Sequence, residues 1–256
     1  MSKETYQELK LVSSPDKFEI MLEAIYDLSK VSDDVMFRLN GQSLYLYVAE
    51  KVGDVLSLIK YYNFDSQELF EYLPKDLGDT DFVFIEAKTF YKQFKIYKRS
   101  KESIKLKILF LQKQGHAFKM TAWDGKIRNT VSSGDYDLIM DVPYNTLLDL
   151  RTSDQPIIDF TLTKEDYRDL KELAAVRTED PRIFVSIKKN SVFIEENGTY
   201  SLKVAECGDD IEEETYCYSK AYFMSLPNSD DWKLTVLPTL LLMDFTNGGI
   251  VLTREL

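Results

Sequence analysis

Six basic side chains and no acidic one lie in the segment AKTFYKQFKIYKRSK, residues 87–101. Helical spacing, with steps of four, three and four residues, would place four of them on one face, and Lys98 and Lys101 complete the set. The four are Lys88, Lys92, Lys95 and Arg99. Phe90, Phe94 and Tyr97 then take the opposite side. Cations at successive helical turns suit contact with the phosphates of a nucleic-acid backbone. Such contact does not depend on base sequence and weakens as the salt concentration rises.

A purely cationic helix face is unfavourable by itself, because like charges four residues apart cost roughly a few tenths of a kcal/mol per pair. A solvated face usually intersperses the two signs, whereas an anionic partner reverses the sign of this cost. A solvated face that happens to be basic stays open as the alternative. A membrane surface is a weaker competitor, because the apolar side of the helix is needed for the core.

Three further segments show helical periodicity and differ in charge. Residues 164–177, with Thr163 as the expected N-cap, carry cations at helical spacing, and acids flank them. These cations are Lys164, Arg168 and Lys171, with Arg177 beyond, and the acids are Glu165, Asp166, Asp169 and Glu172. Residues 16–31 expose mainly acids: Glu19, Glu23 and Asp27. The short segment 219–226 offers only Lys220 as a basic residue.

Residues that could perform catalysis are scarce. The single histidine, His116, has no evident nucleophile beside it, and Asn247-Gly248-Gly249 is typical of a hairpin turn rather than a phosphate-binding loop. An acidic cluster, Asp209, Asp210 and residues 212–214, fits no calcium-loop spacing. We therefore expect no enzymatic activity, no metal site and no cofactor, and an acidic metal-binding or hydrolytic enzyme is the least supported class.

Composition indicates a globular protein. The 256 residues are 44% hydrophobic and 29% charged, with 32 Lys plus Arg against 43 Asp plus Glu and a net charge of −11. No apolar run reaches the roughly 18 residues of a membrane span, and the N-terminal residues are charged where a signal peptide is apolar. Two isolated cysteines suit a reducing compartment, so a cytoplasmic location is expected. Net charge argues against nucleic acid, unless the charges are segregated onto separate faces.

An element order repeated four times organises the chain: one strand, one helix and about three antiparallel strands. Turn dipeptides separate several strands and are candidates for type I′ turns: Asn40-Gly41, Asp124-Gly125, Asn197-Gly198 and Asn247-Gly248. Residues 28–46 align with residues 173–194 and give the repeat modest support. In SIKLKIL, the alternation places Lys105 and Lys107 on one face and Ile104, Leu106 and Ile108 on the other. We predict an N-terminal domain at residues 1–135, a connector at 136–156 and a C-terminal domain at 157–256.

This organisation resembles the DNA sliding clamps, the processivity factors of replicative polymerases, and in particular bacteriophage clamps and proliferating cell nuclear antigen. The resemblance depends on element order and charge placement over nearly the whole chain. Its strongest local likenesses are IDFTLTKEDYRDLKELAAVRTEDPRIFVSIKKNSVFI, residues 158–194, and KLTVLPTLLLMDFTNGGIVLTREL, residues 233–256. It implies an α+β processivity fold of two similar domains, each with two strand-helix-three-strand modules, with antiparallel sheets outside and helices inside.

The resemblance also implies a function. Clamp rings contain six domains, so two domains per chain imply a head-to-tail homotrimer around duplex DNA that tethers a replicative polymerase and is loaded by an ATP-driven clamp loader. The host cytoplasm or nucleoid would be its location if the protein is viral. The implied DNA-contacting residues are Lys88, Lys92, Lys95, Lys98, Arg99, Lys164, Arg168, Lys171, Arg177 and Lys220. The implied partner-peptide pocket consists of Tyr47, Val48, Val142, Leu147, Leu148, Pro238 and Leu240, although the connector YNTLLDLRTSDQ departs from the family pattern. A monomeric, non-ring polymerase accessory or adaptor protein of related fold is the alternative.

Overall fold

A computed structural model describes residues 6–53, 55–75, 77–111, 116–152, 154–176, 180–196, 199–208, 211–227 and 231–255. The chain forms two compact units. Unit 1 contains the residues up to Val48 and Tyr61–Asp141, and unit 2 contains Ala49–Lys60 and the residues from Val142 onward. The division at residues 141 and 142 lies inside the predicted connector. The predicted domain boundaries remain a proposal.

Unit 1 contains two consecutive modules, and the segment Ala49–Lys60 of its first module is grouped with unit 2. The first module comprises β1 (Tyr6–Ser13), α1 (Pro15–Leu28), β2 (Val35–Leu39), β3 (Ser43–Val52) and β4 (Val55–Asp65). A one-turn helix, α2 (Ser66–Leu69), follows. The second module comprises β5 (Thr80–Phe84), α3 (Ala87–Phe94), a 3₁₀ segment (Lys95–Arg99), β6 (Ile104–Leu111), β7 (Ala117–Trp123) and β8 (Arg128–Ser132).

Unit 2 repeats the same order after a short helix. A 3₁₀ turn (Tyr136–Leu138) ends unit 1, and α4 (Tyr144–Thr152) begins unit 2. The third module comprises β9 (Ile158–Thr163), α5 (Lys164–Val176), β10 (Arg182–Lys188), β11 (Ser191–Glu196) and β12 (Tyr200–Glu206). The fourth comprises β13 (Glu214–Ser219), α6 (Lys220–Phe223), β14 (Asp231–Val236), β15 (Leu240–Phe245) and β16 (Gly248–Thr253).

The sheets of both units are antiparallel. Unit 1 has a four-stranded sheet in the order β1-β6-β7-β8, and its other strands follow the order β5-β2-β3-β4. Unit 2 has a four-stranded sheet in the order β12-β11-β10-β13, and a run in the order β16-β15-β14-β9. Side chains of period two fill each core: Ile104, Leu106 and Ile108 of β6 are at most 1% exposed. The alternation predicted for β6 is therefore confirmed.

Helix α1 begins where the sequence favours a helix start. The Ser14 hydroxyl accepts a hydrogen bond from the Lys17 N–H at 3.4 Å, and Pro15 follows as the first helical residue. Phe18, Leu22 and Ile25 recur at helical spacing and are at most 1% exposed. The helix ends at Leu28, three residues earlier than the predicted end.

The turns differ from the prediction in type. Asn40 and Asp124 each accept hydrogen bonds from backbone N–H groups two and three residues ahead, so both are side-chain-closed turns. The turn between β10 and β11 has positive φ at two successive residues, Lys189 (48°) and Asn190 (59°), as a type I′ turn requires. The sequence gives no glycine signal there. Gly198, from a predicted turn, lies outside the described residues.

The fourfold module order is confirmed, while the short helices α2 and α4 were not predicted. In α4 only Leu147 is buried, so the apolar period is too weak to indicate a helix. No helix in the described part of the chain combines the length and apolar character that a bilayer crossing requires.

Candidate nucleic-acid interface

A chain of aromatic side chains anchors the basic segment to the core of unit 1. Phe84 packs against Phe90 with ring centroids 4.3 Å apart, and Phe90 stacks on Phe94 at 4.1 Å. Tyr97, which is fully buried, continues this chain 5.8 Å from Phe94 and meets Phe18 of α1 edge-on at 5.8 Å. The predicted apolar face, Phe90, Phe94 and Tyr97, is therefore confirmed as a core face.

The basic segment is not one continuous α-helix, which corrects the prediction. The α-helix ends at Phe94 and residues 95–99 form a 3₁₀ segment. The Tyr97 hydroxyl attaches this segment to the sheet: it donates to the Ala122 carbonyl at 2.8 Å and accepts from the Asn129 N–H at 3.0 Å. A 3₁₀ segment has three residues per turn, so the row expected from Lys88 to Arg99 changes direction after Lys95.

Five cations of this segment are exposed, and two of them, Lys88 and Lys101, lie near its ends. Lys92, Lys95 and Arg99 are exposed, and none has an ion-pair partner among the residues that the structure describes. We call these three residues the helix-face cations. Lys88 is also exposed, but its Nζ lies 3.4 Å from Asp33 Oδ1.

Lys98 has a different role from its neighbours. Its Nζ lies 2.9 Å from Glu19 Oε1 and also binds the Glu23 carboxylate, so one lysine holds two acids of α1. Asp27, the third acid expected on the exposed side of α1, is buried instead. Tyr91 strengthens this cluster: its hydroxyl donates to Glu23 at 3.0 Å and its ring stacks on Tyr26 at 4.4 Å. Partial burial alone lowers the pKa of Lys98, but the hydrogen bonds to Glu23 and Glu19 outweigh it and raise the pKa above its usual value.

Helix α5 of unit 2 begins with a reciprocal cap. The Thr163 hydroxyl accepts from the Asp166 N–H at 3.1 Å, and the Asp166 carboxylate accepts from the Thr163 N–H at 3.2 Å. The N-cap prediction is confirmed. The Tyr167 hydroxyl donates to the Met224 carbonyl at 2.7 Å, and Leu170 is fully buried, so this side of α5 faces the core.

The cations of α5 lie among acids and aromatic rings. Arg168 lies 3.3 Å from both Glu165 and Asp169, and Lys171 Nζ is 4.2 Å from the centroid of the Tyr167 ring. Lys164 is exposed at the first turn. Arg177, the last predicted cation of this helix, lies outside the described residues.

Lys220 of α6 lies in a buried ion pair. Its Nζ is 2.6 Å from Glu196 Oε2, and the two side chains are 13% and 2% exposed. Lys220 compensates the charge of the buried Glu196 carboxylate in unit 2, because a buried charge is costly without a close partner. We therefore leave Lys220 out of the candidate interface.

Comparisons with known proteins agree on one fold. No family model and no curated protein sequence matches the chain significantly. Among solved structures, proliferating cellular nuclear antigen from Entamoeba histolytica matches with a TM-score of 0.66 and 12% identity, over 97% of this chain and 99% of that one. The β clamp of Helicobacter pylori, solved with a DNA ligase peptide, matches with a TM-score of 0.65 and 12% identity, over 100% of this chain and 67% of that one.

A third match is a protein described as a DNA polymerase III β subunit from Eubacterium rectale. Its TM-score is 0.64 at 12% identity, over 97% of this chain and 65% of that chain. The chain has the DNA sliding-clamp fold. It spans the full length of the Entamoeba clamp but about two thirds of the two bacterial chains.

The residues predicted for the partner-peptide pocket of the clamp fold differ in exposure. In unit 1, Tyr47 is fully buried and Val48 is 2% exposed; the Tyr47 hydroxyl lies 3.4 Å from both the Met140 carbonyl and Asp141 Oδ1. In unit 2, three predicted residues are buried and two are exposed. The buried ones are Val142, Leu147 and Leu240, and the exposed ones are Leu148 and Pro238.

The residues considered from the sequence for catalysis or metal binding are His116 and the acidic cluster that begins at Asp209. The His116 ring stacks on Tyr136 with centroids 3.9 Å apart, a packing contact. Asp209 and Asp210 lie outside the described residues. In the part of the chain that is described, no group of three or more His, Cys, Asp or Glu side chains could hold a metal ion.

Proposed function

We propose that this protein is a DNA sliding clamp, which forms a closed ring around duplex DNA and tethers a replicative DNA polymerase to it. The observation that carries the proposal is the set of helix-face cations, Lys92, Lys95 and Arg99, on a chain of sliding-clamp fold. A ring holds DNA by topology, so its inner face needs only cations that accept phosphates of any base sequence.

The charge distribution of unit 1 supports this role. Lys98 pairs with Glu19 and Glu23 and so offsets part of the negative charge that α1 places beside the basic segment. The helix-face cations have no carboxylate partner among the described residues, so they are available to an approaching phosphate. The rest of the chain is more acidic than the net charge of −11 indicates, because residues 87–101 carry six positive charges and no negative one. Excess negative charge disfavours DNA binding outside the basic parts of the molecule.

We infer a homotrimer as the form of the ring, with head-to-tail contacts between identical chains. Each unit, with its two modules, would correspond to one clamp domain. The two units of one chain would then make up one third of a six-domain ring. Strands β8 and β12 end the four-stranded sheets of units 1 and 2, and edge strands offer unpaired backbone groups for such a contact.

We further propose that partners dock through short peptides, as in the H. pylori clamp structure that contains a DNA ligase peptide. The pocket inferred from the sequence is retained as a proposal, with Leu148 and Pro238 as its exposed members. The polymerase and an ATP-hydrolysing clamp loader are the proposed partners. The chain itself would perform no catalysis.

Light scattering coupled to size-exclusion chromatography tests the ring. At micromolar concentration we expect a mass about three times the 29.8 kDa of one chain. A strict monomer at every concentration would contradict the ring and would favour a non-ring polymerase accessory protein.

A further inference from the structure

The solvent face of the sheet β1-β6-β7-β8 contains an ordered row of side chains away from the helices. The strand register places Val12, Lys105, Trp123 and Arg128 directly opposite one another across all four strands. The next row begins with Lys10 opposite Lys107. A cationic and aromatic surface therefore lies on the side of this sheet opposite its core.

These rows line a groove of about 700 Å³. Trp123, 42% exposed, and Tyr72, 54% exposed, are its aromatic residues. Tyr72 is attached to the edge of the sheet, because the Val12 N–H donates to its carbonyl at 3.2 Å. Large exposed aromatic side chains in a groove are typical of recognition sites rather than of free surface.

Positive charge dominates this face. Among the described residues its strands present five cations and one carboxylate, Glu8: the cations are Lys10, Lys105, Lys107, Lys119 and Arg128. Glu8 binds both Lys107 and Lys10, the latter at 3.4 Å. Lys10 and Lys107 are directly opposite each other, an arrangement that destabilises a sheet unless an anion offsets it. Lys105 and Arg128 have no carboxylate partner in the described part of the chain.

The equivalent sheet of unit 2 balances its charges. Lys188 lies 2.5 Å from Glu195, Arg182 lies 3.0 Å from Asp180, and the third cation of that face, Lys203, lies 3.0 Å from Glu206. The excess of cations is therefore particular to unit 1. It is not a general property of sheets in this acidic chain.

We propose that this groove binds an acidic peptide segment of a partner protein, with an aromatic or large aliphatic side chain of the peptide against Trp123 and its carboxylates on Lys105 and Arg128. Glu8 already shows that this face can bind a carboxylate, since its side chain pairs with both Lys10 and Lys107. Single-stranded nucleic acid is less suited, because base stacking needs an open ring face. Lys105 Nζ lies 5.1 Å from the centroid of the Trp123 ring and covers one of its faces.

The test uses the full chain and a fluorescein-labelled peptide of sequence Glu-Glu-Asp-Phe-Glu-Glu, measured by fluorescence anisotropy. Trp123→Ala and Arg128→Glu should each weaken binding by about tenfold or more, because both remove a central contact. Lys119→Glu is the matched control: it makes the same charge change on the same sheet face, outside the groove, and should change affinity less than about twofold. Replacing the Phe of the peptide with Ser should weaken binding as much as Trp123→Ala does.

Three results would overturn the proposal. The first is a lack of peptide binding by the unmodified protein, and the second is equal loss with Lys119→Glu and Arg128→Glu, which indicates nonspecific charge attraction. The third is tighter binding of a labelled thymidine oligonucleotide that depends on Trp123, which assigns the groove to single-stranded nucleic acid. Ring assembly and duplex binding are measured separately, so failure here leaves the clamp proposal intact.

Discussion

In unit 1, Lys92, Lys95 and Arg99 are exposed without carboxylate partners in the described chain, and Lys98 binds Glu19 and Glu23 on the neighbouring helix. In unit 2, by contrast, Arg168 lies 3.3 Å from two acids of its own helix, and Lys220 is buried against Glu196. The two units share one module order but differ in where the acids are. We therefore expect the position of the acids, more than the number of lysines, to decide which helix can receive a phosphate backbone.

Reversing the helix-face cations should have the largest effect. The variant Lys92→Glu, Lys95→Glu, Arg99→Glu should lose at least about a hundredfold in affinity for duplex DNA at low salt, because three phosphate contacts are replaced by repulsive carboxylates. The salt dependence of binding should fall as well, since fewer phosphates are neutralised. Fluorescence anisotropy of labelled duplex across a salt series measures both quantities.

The matched reversal in unit 2 sharpens this result. Lys164→Glu, Arg168→Glu, Lys171→Glu makes the same charge change, but we expect a loss of no more than about tenfold, because acids already offset part of the charge on α5. A control triple at exposed lysines elsewhere, Lys51, Lys119 and Lys233 to Glu, should bind nearly as the unmodified protein does. Equal losses in the α3 and α5 variants would remove the proposed distinction between the units.

Lys220→Met should lower the free energy of unfolding by about 3 kcal/mol, because it leaves the buried Glu196 carboxylate without its lysine. Lys203→Met provides the control, since its pair with Glu206 is 47% and 82% exposed and should contribute less than about 1 kcal/mol. Denaturant unfolding measures both. If Lys220→Met left stability unchanged but weakened duplex binding, Lys220 would belong to the interface after all.

Lys98→Ala should have the smallest effect on stability, below about 1 kcal/mol, because its carboxylate partners are nearly half exposed. Its effect on duplex affinity should exceed that of Lys101→Ala severalfold, because Glu19 and Glu23 become free to repel phosphates. Adding Glu19→Gln and Glu23→Gln should restore most of the affinity. A loss that this addition does not restore would indicate that Lys98 contacts DNA directly.

Local sequence predicted much of this molecule. The alternation of Ile104, Leu106 and Ile108 in β6 and the aromatic core face of the basic segment are confirmed. These features depend on period and turn residues within a few positions of one another.

Features that join distant parts of the chain were not predictable in the same way. The Tyr97 hydroxyl reaches Ala122, and Lys98 reaches Glu23, 75 positions away. These contacts attach the 3₁₀ segment to the sheet and pair Lys98, rather than its neighbours, with the acids of α1. The row of Lys105, Trp123 and Arg128 had a partial signal in the alternation of β6, but its assembly needed the register of three strands.

Retention on circular DNA tests the central claim most directly. The protein is loaded by the proposed clamp loader onto a nicked circular duplex, and half of the sample is then linearised before gel filtration at high salt. A sliding clamp should stay with the circle and be lost from the linear form, because salt weakens phosphate contacts but not a topological link. Equal retention on both forms, or on neither, would contradict the account.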